Sequence, residues 1–176
     1  MPRRHPPVPR TWLMTDERMG DSLWDALERL PKGSGVVFRH YALERAERVA
    51  IFRKLSIIAH RRHLIVLRAG PYRLRGEDGV HGARGAGLTS WAVHERAEAV
   101  AARRAGADLV FVSPIFPTAS HPGAPTLGRV RAGLVTRGLA MPVIALGGMD
   151  AKRARQLKAL RFHGWAAIDA WARPRR

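Results

Sequence analysis

Residues 106–128 read GADLVFVSPIFPTASHPGAPTLG. A mostly apolar run, Leu109–Ser113 (LVFVS), follows a Gly-Ala-Asp turn signal and ends at a loop dense in Pro and Gly. A helical pattern then runs from about Leu127 to Gly138. A short apolar run bounded in this way reads as a strand buried on both faces, because such a strand has no solvent side to mark with polar residues. The unit is therefore strand, loop, helix, and it recurs in both directions. Upstream runs are Thr11–Thr15 (TWLMT), Val36–His40 (VVFRH), Leu64–Leu67 (LIVL), Gly79–Gly82 (GVHG) and Leu88–His94 (LTSWAVH); downstream come Val143–Leu146 (VIAL) and Trp165–Asp169. Between them, helical spacing predicts Leu23–Leu30, Leu43 to about Arg62, and Glu95–Ala105, and Asp150 caps a helix to Leu160. The buried stripe of the second is expected to carry Ala46, Val49, Ala50, Phe52, Leu55 and Ile58, and that of the third Ala97, Val100 and Ala101.

Eight strands alternating with helices predict a parallel α/β fold, a TIM (β/α)8 barrel. The chain has 176 residues, short for a fold that begins near 200. The deficit has an address. About a dozen residues, broken by Gly70-Pro71 and Gly76, separate strands three and four, and HGARGAGL has no apolar period. WARPRR closes the chain without room for a helix. The third, fourth and eighth helices are thus expected to be shortened or missing. An open doubly wound sheet is the runner-up, lowered by the lack of a GxGxxG or Walker-type loop. One domain is expected over 11–176, preceded by a loose, basic, Pro-rich tail at 1–10.

Composition narrows the function. Without cysteine there is no thiolate nucleophile, disulfide or Cys-type metal site. No apolar run reaches the ~18 residues of a transmembrane helix, and the first ten residues lack the apolar stretch of a secretory signal. A cytoplasmic protein with no membrane partner is expected. The net charge is +17; four of the 31 basic residues are Lys, so 27 are Arg. Such a charge raises nucleic acid as a partner, but the arginines are scattered along helices rather than interleaved with aromatics, so nucleic acid is not expected.

Several stretches resemble one family in order. PIFPT with PGAP and LG in 114–128, PVIALGGM at 142–149, GVH at 79–81, WLMTD at 12–16 and the Arg39 strand resemble the thiamine phosphate synthase and thiazole tautomerase (TenI) family, over about residues 11–171. The resemblance implies a phosphorylated small molecule of the thiazole phosphate class bound at the C-terminal mouth of the barrel. It assigns Arg39 and His94 to catalysis. It assigns phosphate or substrate binding to Gly147, Gly148, Thr118, Ser120 and His121, the glycines admitting close backbone approach to an anion.

The departures bear on chemistry. Val37 and Tyr41 stand where the synthases carry Gln and Lys, Leu67-Arg68-Ala69 lacks their Asn-Asp pair, Gly82–Gly87 holds no acid, and His121 replaces a Lys. Diphosphate departure needs Mg²⁺ held by carboxylates, and Arg68 would repel it. Asp169 falls where the family has Ser beside the phosphate. No metal site or cofactor is therefore assigned, Mg²⁺ being required only if synthase activity is retained. A tautomerase needs one base-acid such as His94. A metal held by His81, His94 and His121 is set aside because nothing fixes their spacing. Arg68, Arg73, Arg75 and Arg84 are expected on a solvated face. Alternatives are a non-catalytic phosphate-ligand sensor, a basic nucleic-acid-binding barrel and an active synthase. The wall that the shortened helices leave open is expected either to be covered by a second chain, as in a homodimer, or to be locally frayed.

Overall fold

Eight parallel strands hydrogen-bond in chain order into a closed barrel. The structure, a computed structural model, describes residues 7–118 and 122–172. The strands are β1 (Thr11–Met14), β2 (Gly35–Phe38), β3 (Ile65–Ala69), β4 (Gly79–His81), β5 (Leu88–Val93), β6 (Leu109–Val112), β7 (Val143–Ala145) and β8 (Gly164–Ala167). The helices are α1 (Ser22–Arg29), α2 (Arg45–Arg62), α3 (Arg96–Arg104), α4 (Gly128–Thr136), α5 (Ala151–Gln156) and α6 (Asp169–Ala172). Closure is by β1 on β8, with Thr11 opposite Trp165 and Leu13 opposite Ala167.

Alternate residues of each strand point inward and fill the barrel: Trp12, Met14, Val37, Leu67, Leu88, Leu109, Phe111 and Ile144 form one buried cluster. Trp12 is the largest. Its ring meets Phe111 edge-on at 5.3 Å, and its indole N–H donates to Pro9 O at 2.8 Å. Gly35 faces it, and a Cβ there would overlap the indole. Two further clusters lie outside the sheet, one under α1 and α2 and one under α3, α4 and α5. The chain before β1 is fastened from residue 8: His163 Nε2 lies 2.8 Å from Val8 O, and Trp165 N donates to Arg10 O. Residues 1–6 of the expected tail lie outside the described residues.

Among the described residues no helix follows β3 or β4, and α6 is a single turn, as the spacing predicted. The wall over β3 and β4 is nevertheless covered, and from within the chain. Val80 and Leu74 are buried, and Gly85 packs so close to Val80 that a Cβ would overlap it. Arg68 points outward from β3, not into the mouth and not into solvent. Its Nε lies 2.7 Å from Glu77 Oε2, with both side chains 9% exposed. This corrects two expectations, a solvated Arg68 and an Arg68 repelling a cation in the mouth. Arg48 of α2 reaches the same seam, donating to Ala69 O with its guanidinium over the Phe38 ring.

That contact also corrects the stripe of α2. Arg48, Phe52, Leu55 and Ala59 face the sheet, whereas Ala46, Val49 and Ala50 are exposed. The stripe keeps helical spacing but contains an arginine, which a search for apolar residues passes over. In α3 the inward residues are Ala99 and Ala102; Ala97 and Ala101 are exposed. A helix made of Ala and Arg gives no contrast from which to read its face.

Candidate ligand site at the barrel mouth

A cavity of about 700 Å³ opens at the C-terminal ends of the strands. Its floor is Met14, His81 and Ala92; its rim comes from the loops after β2, β5, β6, β7 and β8. Loops at this end carry the ligand chemistry of such barrels, because the closed sheet holds their bases rigid.

Arg39 follows β2. Its backbone N–H donates to Thr15 Oγ1 at 2.9 Å and its Nε–H to Thr15 O at 3.0 Å, so one residue fixes the root and the turn of the side chain. Its Nη2 lies 3.5 Å from Asp16 Oδ2. Asp16 is engaged more firmly by Arg18, whose backbone N, Nε and Nη2 all donate to it at 2.7–3.0 Å. Those bonds hold the Asp16 carboxyl below the usual carboxylate range. Beside Arg39, His40 is buried against Phe38 at 4.7 Å and lies 3.0 Å from Thr15 Oγ1. Burial pushes its basicity down.

His81 ends β4 facing inward. Its Nδ1 is 2.9 Å from Ser90 Oγ on β5, and its ring meets Phe111 edge-on. Burial, with the Arg39 charge nearby, lowers it to about 4, so the imidazole is neutral at neutral pH. His94, just beyond β5, sits on the opposite footing. Its side chain is 57% exposed, with Nδ1 3.1 Å from Glu98 Oε2 one turn along α3. The structure brings Arg39, His81, His94, Thr118, Gly147 and Gly148 to one cavity. Ser120 and His121, assigned to the same site, lie outside the described residues.

The glycines after β7 have two reasons to be glycine. Both have positive φ, 93° and 58°. A Cβ on Gly147 would lie 2.7 Å from Pro114 Cα, and one on Gly148 would overlap the Pro117 carbonyl. The β7 loop is thus pressed against the β6 loop, with Phe116 N donating to Gly147 O. Asp150 caps α5, accepting from Arg153 N at 2.7 Å. The Arg153 side chain folds back to Gly148 O, over the Phe116 ring, and lines the cavity. Sequence reading did not single out Arg153. The available signal was its place three residues after a helix cap, one turn back toward the strand ends.

The donor set does not fit Mg²⁺ with a diphosphate. Among the described residues the cavity is lined by two carboxylates, Asp150, taken by its helix, and Asp169 at the start of α6; Asp16, beside Arg39 but outside the lining, is held by Arg18. Among the described residues no three His, Asp or Glu converge as metal ligands. Two guanidiniums and two imidazoles remain as the groups able to meet an anion.

A family model described as thiamine monophosphate synthase matches residues 85–171. The curated thiamine-phosphate synthase of Methanocella arvoryzae is 38% identical over 74 residues, 42% of this chain and 35% of that one. That of Salinispora tropica is 36% identical over 85 residues, 48% of this chain and 39% of that one. The chain thus spans well under half the length of the curated relatives it matches. The fold is similar to that of thiamine phosphate pyrophosphorylase from Pyrococcus furiosus, with a TM-score of 0.76 at 21% identity, covering 92% of this chain and 86% of that one. No described helix is long and apolar enough to cross a membrane. The matched stretch, residues 85–171, carries β5 to β8 with the PIFPT and GGM loops and is similar to the thiamine monophosphate synthase family, and the barrel as a whole shares the fold of the Pyrococcus furiosus protein.

Proposed function

We propose that the chain binds a phosphorylated small molecule of the thiazole phosphate class at the barrel mouth, without a divalent cation, and that its chemistry is proton transfer rather than diphosphate displacement. The observation that carries this reading is the makeup of the 700 Å³ cavity, where Arg39, Arg153, His81 and His94 are present and Asp150, one of its two carboxylates, already caps a helix. Arg39 and Arg153 meet the anionic groups. His94, with Glu98 behind it, exchanges the proton between carbons of the bound heterocycle, a task one base-acid performs without metal. His81 is a neutral imidazole on the floor, able to donate or accept a hydrogen bond without adding charge.

Titration calorimetry with the thiazole phosphate carboxylate and with the pyrimidine diphosphate, each in Mg²⁺ and in EDTA, tests the reading. Thiazole phosphate binding that is equal in both is expected. Binding of the diphosphate only with Mg²⁺ would refute it. A second reading, a sensor that binds without turnover, is favoured by the exposure of His94, since an exposed imidazole transfers protons to water as readily as to a ligand. His94→Ala separates the two: it abolishes turnover in the first and changes no measured activity in the second.

A further inference from the structure

The barrel has a second functional end. In this topology every helix runs antiparallel to its strand, so all helix C-termini meet at the face opposite the mouth. Exposed cations stand at five of the six: Lys32 after α1, Arg61 at the end of α2, Arg104 at the end of α3, Arg137 after α4 and Arg161 beyond α5, with Arg10 entering β1. The arginines that look scattered along the sequence are therefore gathered by the fold. Acids at the same end are engaged. Glu28 pairs with Arg61, Asp78 accepts from Val66 N at 2.8 Å, and Asp108 accepts from both the N–H and the hydroxyl of Thr89.

We infer that this face binds the phosphate backbone of nucleic acid without sequence selection. A field of separated guanidiniums suits phosphates spaced along a strand, each able to take two parallel N–H bonds. An anionic membrane fits less well, since the large apolar side chains that are exposed (Tyr41, Val49, Ile57, Tyr72, Val130 and Leu134) belong to mouth loops or helix flanks, and none to the loops of this face. Cations at helix C-termini also offset the helix dipole. That effect accounts for Arg61, Arg104, Arg137 and Arg161, which lie in or directly cap a last turn, but not for Lys32 and Arg10, which lie beyond the helices, in the connections.

The test uses the full chain and a labelled mixed-sequence DNA duplex, with affinity followed from about 50 to about 200 mM salt. The native chain should bind with a steep log–log slope. Arg104→Gln/Arg137→Gln/Arg161→Gln should lower that slope by about 2 to 3, at ~0.9 per lost phosphate contact. Arg53→Gln/Arg129→Gln/Arg131→Gln removes as much charge from exposed helix flanks and should leave the slope within one of native. Equal losses in the two triples would mean that net charge alone binds, and would overturn the inference. So would absence of duplex binding at the lowest salt, or face-dependent binding to phosphatidylserine vesicles in its place.

Discussion

Glu77→Ala is expected to destabilise the barrel by roughly 3–5 kcal/mol, the cost of leaving a buried charge without its partner. The figure rests on geometry. Arg68 and Glu77 are each 9% exposed and 2.7 Å apart, so neither is screened by water as a surface pair is. Glu77 Oε2 also accepts from Leu74 N at 2.9 Å, and losing that bond adds about 1 kcal/mol. For a chain of this size, each kcal/mol moves the thermal midpoint by roughly 2–4 °C, which puts the expected fall near 10 °C or more. Urea unfolding of Glu77→Ala, Arg68→Met and the double variant gives the cycle. The double should regain the part of the loss that comes from the unpaired charge, because neither Ala nor Met needs a counter-charge, while the unfilled Glu77 volume and the lost Leu74 bond remain as cost. A loss under about 1 kcal/mol in Glu77→Ala would show that water reaches the pair, and the wall over β3 and β4 would not be sealed as described.

Three further outcomes follow from the mouth. Because burial lowers His81 to about 4 while an unfolded His titrates near 6.5, the unfolded chain takes up the proton first, so stability should fall by about 3 kcal/mol as pH drops from 6.5 to 4; His81→Asn should flatten that slope in urea midpoints taken across the range, and an unchanged slope would place the acid response elsewhere. Arg39→Met should weaken binding of the thiazole phosphate carboxylate by roughly 10–100-fold in calorimetry, the worth of one charge-assisted hydrogen bond, while equal affinity would remove Arg39 from the site. Gly148→Ala, at φ 58° with its Cβ against the Pro117 carbonyl, should cost roughly 1–2 kcal/mol or more in thermal unfolding and weaken the same ligand, and a neutral result would mean the β6 and β7 loops separate easily.

The strands were legible in the sequence because both faces of each are buried, so LVFV or VIA stands out against polar surroundings without any periodicity to decode. The missing helices were legible as well, since a dozen residues broken by Gly and Pro cannot house one. What escaped was the part of the packing done by polar atoms. Arg68 read as a surface residue, and Arg48 was passed over, because nothing in their spacing says that Glu77 and Ala69 O wait for them across the fold. At the mouth, Arg39, His94 and the two glycines named from the family resemblance line one cavity. The resemblance did not foresee that Arg18 holds Asp16, or that Arg153 turns back over Phe116, because both arrangements depend on side-chain direction rather than residue type. Gathering of cations at the far face was hidden for a simpler reason: it is a property of the topology, and residues 32, 104 and 161 come to the same end of the molecule only once the barrel closes.

The seam over β4 has a use in engineering. Between Gly82 and Gly87 the chain passes from one hydrogen-bonded strand to the next with Ala83 and Arg84 exposed at its tip, and the ring of strands closes without a helix there to be displaced. A tag, a reporter or a second folded module joined at residues 83–84 would hang outside the closed ring, and the host would keep its closure because no stave of the barrel has to be cut to make room.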